Sequence, residues 1–228
     1  FRTGLTVSGI IVGVAMMFIL LSFASGMEAQ TRQMVRALGG ADITVYNATT
    51  PGRGEFFRVA RTLNESLLQS IGQIPGVYAV SPQLSFTGYV NATRVTMNGI
   101  DPATYSMVTG GLNIVTGAPF TEYDEHKILL GKTIADSLNA PNSEDVTVGT
   151  TLTDGQRFTV VGIFETGMPF QELAGYIPLR DAQNMTNQQG LVTQILVKCI
   201  DPNEVSSISD AISSSISGVR ASSPTAMV

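Results

Sequence analysis

The stretch IPGVYAVSP, Ile74 to Pro82, returns as ISGVRASSP, Ile216 to Pro224. The two agree at Ile, Gly, Val, Ser and Pro with one constant offset, and each follows a segment of helical spacing. Ahead of the first copy, EFFRVARTLNESLLQSIGQI places Phe57, Ala60, Leu63, Leu67, Leu68, Ile71 and Ile74 on one helical face, and DITVYN, Asp42 to Asn47, alternates like a strand. Ahead of the second, TQILVKCI reads as a strand, and NEVSSISDAISSSI sets Val205, Ile208, Ile212 and Ile216 along one side of a helix. Each unit is therefore β-α-β. Chance likeness of two helix-to-strand turns is the competing explanation. Internal duplication is the preferred one, and two such halves side by side form a split β-α-β, ferredoxin-like sandwich.

Between the halves, from about Thr93 to Thr186, the texture changes to short strands punctuated by Gly, Pro, Asp and Asn. RVTMNGI, HKILLG, TVGTTLT, QRFTVVGIFE and GYIPL are strand candidates, and GKTIADSLN is a short helix. The segment reads as a mostly β insert. The fold class is α+β.

At the other end, LTVSGIIVGVAMMFILLSF, Leu5 to Phe23, lies in a stretch without a charged side chain between Arg2 and Glu28. As a helix it runs roughly 28 Å at about 1.5 Å per residue, close to the hydrocarbon thickness of a bilayer. Its apolar residues point in every direction, which argues against a core helix of a soluble domain. A cleaved leader stays open as an alternative, but its apolar region is usually about 7 to 15 residues, and the one candidate cleavage site here is SFA, Ser22 to Ala24. The expectation is a membrane helix over residues 1–26. Gly9 and Gly13, then Ser22 and Gly26, repeat the small-x-x-x-small spacing that lets a second helix approach closely. Glycine is also simply common in membrane helices. Beyond it, Met27, Thr31, Met34, Val35 and Leu38 keep helical spacing up to Gly39-Gly40, so a stalk helix over 27–40 is expected, with Met27, Met34, Val35 and Leu38 as its contact stripe. The chain does not begin with Met and reads as an excerpt of something longer.

The chain has 228 residues, a net charge of −5 and three lysines, Lys127, Lys132 and Lys198. No basic stripe is available to neutralise phosphates, so nucleic acid is not an expected partner. The single cysteine, Cys199, lies in a strand pattern and reads as a small buried hydrophobe. GKT at Gly131 to Thr133 lacks the earlier glycine of a phosphate loop, since His126 stands there. His126 is the sole histidine and reads as part of a solvated charged turn, because zinc sites usually draw on several His or Cys. There is no G-x-S-x-G elbow and no declared carboxylate pair. No catalytic residue, cofactor or metal is expected, which favours binding, transmission or structure. Sequons at Asn47, Asn64, Asn91 and Asn184 are candidate glycosylation sites in a glycosylating organism.

RTGLTVSGIIVGVAMMFILLSFASGM resembles the first membrane helix of the MacB/FtsX-type ABC transporter permeases, a family that includes MacB and LolC/LolE, with its R-T-x-L-T-x-x-G-I-x-x-G-V run. VTGAPFTEYDEHKILLGKTIADSL is similar to the family's G-R-x-F-x-x-x-D-E-x-x-V-x-L-G-x-x-x-A-x-x-L. VGTTLTDGQRFTVVGIFE and GYIPLRDAQNM resemble later motifs, in order. One departure is that the family's GR reads GA at Gly117-Ala118. The resemblance implies a porter-like domain in two halves, 41–92 and 187–228, interrupted by a Sabre-like insert, 93–186. It implies a membrane-embedded permease with its large domain outside the cytoplasm, no catalytic site of its own, a separate or fused ABC ATPase, and a second permease subunit in a homo- or heterodimer. It leaves room for an extracytoplasmic partner protein. The function implied is mechanotransmission, which carries ATPase-driven motion across the membrane to export or extract a cargo. The alternative is a membrane-anchored, non-catalytic sensor or scaffold domain that regulates an external partner.

Overall fold

In the computed structural model the described residues are 16–17, 40–48, 61–140 and 144–223. The chain divides at Gly39/Gly40 into two units. Of the first, Met16 and Met17 are described; they are helical and exposed. Among the described residues no helix is long and apolar enough to cross a membrane.

The second unit is built from twelve strands and five helices among its described residues. Strand β1, Ile43–Asn47, lies between β11, Gln194–Cys199, and β12, Val219–Ser222, antiparallel to both. On the far side of β11 runs β3, Val77–Val90, also antiparallel. The order β12-β1-β11-β3 is that of a split β-α-β sandwich, with the central pair drawn from opposite ends of the unit. Alternation selects the faces. Ile43 and Val45 of β1 meet Val197 and Ile195 of β11 in register, and all four are fully buried.

Helices α1, Leu67–Gly72, and α5, Val205–Ser215, share a core with that face through Ile71, Ile208 and Ile212. Ile212 is fully buried, and burial of such a side chain contributes about 2–3 kcal/mol. The long apolar helix read over Glu55 to Ile74 is not what forms within the described part. Leu63–Asn64 is strand β2, paired antiparallel with β10, Leu191–Val192, and the helix starts at Leu67. The Asn64 side-chain oxygen accepts the Ser66 N–H at 2.8 Å. That turn competes with helix at the one place where helical spacing alone would run on.

The 14 residues of β3 leave the four-stranded sheet and enter a second structure. From Gln83 onward β3 pairs with β4, Thr93–Ile100, and its tip at Tyr89 and Val90 pairs with β7, Asp145–Gly149. β4 pairs with β9, Ala174–Pro178; β9 with β6, Lys127–Gly131; β6 with β8, Gln156–Phe164; and β8 with β7. The pairings close a ring of six strands, β3-β4-β9-β6-β8-β7. Closure removes the free edges that short strands would otherwise expose. β5, Ile114–Gly117, adds to β8 outside the ring. One face of β3 supplies Val80 to the helix-covered layer and Leu84, Phe86 and Val90 to the ring, so the main core is continuous across the two.

The segment between the halves holds three helices where sequence reading gave one. Besides α3, Lys132–Leu138, there are α2, Pro102–Thr109, and α4, Leu179–Thr186. α2 had a signal: Asp101 caps it by accepting the Ala103 N–H at 3.1 Å, Pro102 opens it, and Gly110 ends it in the left-handed region. The strand read in TVGTTLT stops at Gly149, where a turn held by Thr150, Thr151 and Asp154 begins.

Candidate functional site

Helix α2 walls an apolar cavity of about 620 Å³. Ile100 and Leu129 form its floor from β4 and β6, Tyr105 comes from α2, and Leu112, Phe120 and Tyr123 come from the loops on either side of β5. Its volume falls in the range of small-molecule sites, and its lining is apolar with few polar groups, as such sites usually are. Ser106, Thr121 and Glu122 supply that polar edge.

Behind the cavity an aromatic row fixes the wall. Tyr105 and Tyr176 lie 5.7 Å apart between ring centres, and Tyr176 and Phe164 meet edge-on at 5.3 Å. The Tyr105 hydroxyl donates to that of Tyr176 at 3.4 Å. Burial first, and the neighbouring Tyr176 second, push the Tyr105 phenol far above its ordinary range; burial also raises Tyr176. Both stay protonated, so the row is a packing and hydrogen-bonding element and not a proton donor at neutral pH.

A second feature lies in the loop between β8 and β9. Glu172, 5% exposed, accepts hydrogen bonds from the Thr166 N–H (2.9 Å), the Gly167 N–H (3.0 Å) and the Thr133 hydroxyl (3.0 Å). Its own carbonyl approaches the Ile134 N–H at the start of α3. The carboxylate therefore straps the loop 165–173 to α3, with Lys132 and Glu165 paired at 3.0 Å beside it. Phe170 and Leu173 remain outward on that loop.

Among the described residues no group of three His, Cys, Asp or Glu is arranged for a metal. His126 is exposed in a turn with positive φ; its N–H donates to Asp181 at 2.7 Å and its ring lies against Phe158. Cys199 is buried and free, its thiol pushed up to about 11 by burial and then by the Asp42 carboxylate.

The expected packing residues Gly9, Gly13, Ser22 and Gly26 and the stripe Met27, Met34, Val35 and Leu38 lie outside the described residues. Of the sequons, Asn47 ends β1 with its amide donating to the Thr62 carbonyl; Asn64 forms the turn before α1; Asn91 turns between β3 and β4; and Asn184 is exposed on α4.

A family model for the MacB-like periplasmic core domain matches residues 3–215. The chain belongs to that family. The match covers the N-terminal apolar run, the first half, the intervening segment and the second half as far as the end of α5. Among relatives, the macrolide export ATP-binding/permease protein MacB of Wolinella succinogenes is 26% identical over 170 residues, 72% of this chain and 26% of that protein. The one from Campylobacter fetus is 24% identical over 209 residues, 88% of this chain and 32% of that protein. The chain thus spans about a quarter to a third of the length of these two relatives. The periplasmic region of MacB from Actinobacillus actinomycetemcomitans superposes with a TM-score of 0.62 at 18% identity, covering 85% of this chain and 93% of that one. The extracellular domain of the noncanonic ABC-type transporter YknZ gives 0.59 at 16% identity, with 79% and 98% covered. Both share the mixed α and β architecture of the described residues from Gly40 to Ser223.

Proposed function

We propose that this chain is the first membrane helix and extracytoplasmic head of an ABC transporter permease subunit. In this reading residues 1–26 are the membrane helix and 27–40 the stalk. The head is a porter-like sandwich, 41–92 with 187–228, interrupted by a Sabre-like segment, 93–186. Two permease subunits, paired through Gly9 and Gly13 and along Met27, Met34, Val35 and Leu38, carry the motion of a cytoplasmic ATPase to the heads. The cargo is exported or extracted without chemistry in the head.

The observation that carries the reading is the match of one family model across 3–215, which takes in the apolar run together with most of the head. The cavity, the strapped loop and the closed ring supply binding surface and stiffness, which a transmitter needs. The experiment is cysteine cross-linking at Met34 in membranes, with the full-length permease and its ATPase. Cross-linking is expected to rise when nucleotide is trapped, and to fall when Gly9 and Gly13 are both replaced by Leu. Yields indifferent to nucleotide and to both substitutions would sink the transmission reading.

A further inference from the structure

The chain enters the head at Gly40, and several ties hold that entry. Gly40 is left-handed, at φ +57°, and sits so close to the end of α2 that a Cβ there would fall 2.2 Å from the Thr109 carbonyl oxygen. The Lys198 ammonium donates to the Gly40 carbonyl at 3.3 Å and to the Asp42 carboxylate at 3.1 Å. The other oxygen of that carboxylate accepts the Cys199 N–H at 2.9 Å, and the Asp42 N–H donates to the Val197 carbonyl at 3.0 Å. Between them Ala41 packs against a smaller apolar core, separate from the main one, that includes Leu196 and Val108. The residues of this entry, 40–42, are thereby fastened to the end of β11 and to the last turn of α2.

That helix also walls the cavity. Tyr105 and Val108 belong to the core that includes Ala41, Ala79 and Leu196, while Ala103, Tyr105 and Ser106 line the cavity. From Tyr105 the row continues to Tyr176 and Phe164 on the ring strands. At about 1.5 Å per residue, its eight residues form a rod on the order of 12 Å long, stiffened by a cap at each end. The entry touches one end of this rod and the cavity lies along its side.

We propose that α2 is a coupling element that transmits displacement of residues 40–42 to the wall of the apolar cavity. Thr109 receives the displacement from Gly40, and Tyr105 delivers it to the cavity and the aromatic row. Coupling of this kind is reciprocal, so a group filling the cavity biases the position of the entry by the same factor. The proposal rests on the permease reading for the source of the displacement, though not for the joint itself.

The test is hydrogen exchange of the full-length permease with its ATPase in lipid nanodiscs, with nucleotide absent or trapped. Lys198→Met removes both ammonium ties to the entry without adding bulk and leaves the Cys199 N–H to Asp42 bond in place, and the bonds it removes end on Gly40 and Asp42, not on α2. Exchange of the Tyr105–Gly110 amides is expected to accelerate on the order of tenfold, the scale of one lost charge-assisted hydrogen bond. Lys198→Arg should restore it, and β8 amides should stay protected. Asp42→Asn reads the same joint if Lys198→Met does not fold. Acceleration confined to residues 40–42 and 197–199 overturns the coupling. Accelerated α2 amides in the variants, with no response of either segment to nucleotide, uphold the joint and count against the permease reading.

Discussion

Gly76 and Gly218 occupy the same station in the two halves of the sandwich. Both are left-handed, at φ +89° and +81°, and both stand just before an outer strand. The Gly76 carbonyl accepts the Ile200 N–H just past β11, and the Gly218 carbonyl accepts the Ala48 N–H just past β1, each at 2.9 Å. Each outer strand is thus tied to the end of the central strand beside it. This is the pattern expected of a duplicated unit folded about a pseudo-twofold axis.

The two glycines differ in what surrounds them, and that difference gives a prediction. A Cβ at Gly218 meets nothing within 4 Å, whereas one at Gly76 would lie 2.6 Å from the Ile208 Cδ1. Gly218→Ala should cost about 1–2 kcal/mol, the left-handed penalty alone. Gly76→Ala should add roughly 1–3 kcal/mol for overpacking against α5. Urea unfolding of the two variants checks this; equal losses would count against the crowding argument.

The turn between β3 and β4 should be improvable. Asn91 and Ala92 join these strands directly and both have positive φ, +46° and +66°. Two-residue hairpins of this kind favour Asn-Gly, because glycine alone carries no Cβ into that region. Asn91 is already suited, its side-chain oxygen accepting the Thr147 N–H at 2.9 Å. Ala92→Gly is expected to stabilise the head by about 1 kcal/mol. A fall in the urea midpoint would refute it.

The repeat around those glycines is what made the sandwich legible. A left-handed turn needs glycine and a strand start that packs on the core favours valine, so the copies kept a local signature. The ring was hidden for the opposite reason. β7 finds Tyr89 and Val90 across more than fifty residues, and nothing in DVTVG names that partner. The site was hidden too, because the cavity gathers Ile100, Leu112, Phe120 and Leu129, ordinary apolar residues of separate elements. α2 was readable from Asp101-Pro102 and Gly110, but its short apolar content carried no clear periodicity. The helix expected from Glu55 failed within its described part because Asn64 offers the backbone a turn that apolar spacing does not register.

Cys199 should behave as packing and not as a reactive thiol. It is 4% exposed, and its thiol lies at about 11, so little thiolate exists near neutrality. Ellman's reagent at pH 8 is expected to label it only as fast as the head opens, with full labelling after denaturation. Labelling within seconds in native conditions would overturn this. Cys199→Ala should cost about 1–2 kcal/mol through the lost sulfur contacts.

Acid should weaken the head through Glu172. Burial alone would raise this carboxyl, but the Thr166 N–H, the Thr133 hydroxyl and the Gly167 N–H together outweigh it and hold the group below its ordinary range. A folded-state pKa below the unfolded one means the stabilisation is present above the unfolded value, about 4.3, and is lost as pH falls through the folded value. The strap on loop 165–173 should therefore loosen below about pH 4. Glu172→Gln keeps the size of the side chain and some of its acceptors, and removes the charge. It is expected to cost about 1–3 kcal/mol at pH 7 and progressively less as the pH drops, because the wild type loses the same charge there. Denaturation midpoints of both proteins between pH 3 and pH 7 decide it. Parallel curves would mean that the carboxylate's charge does not hold the loop.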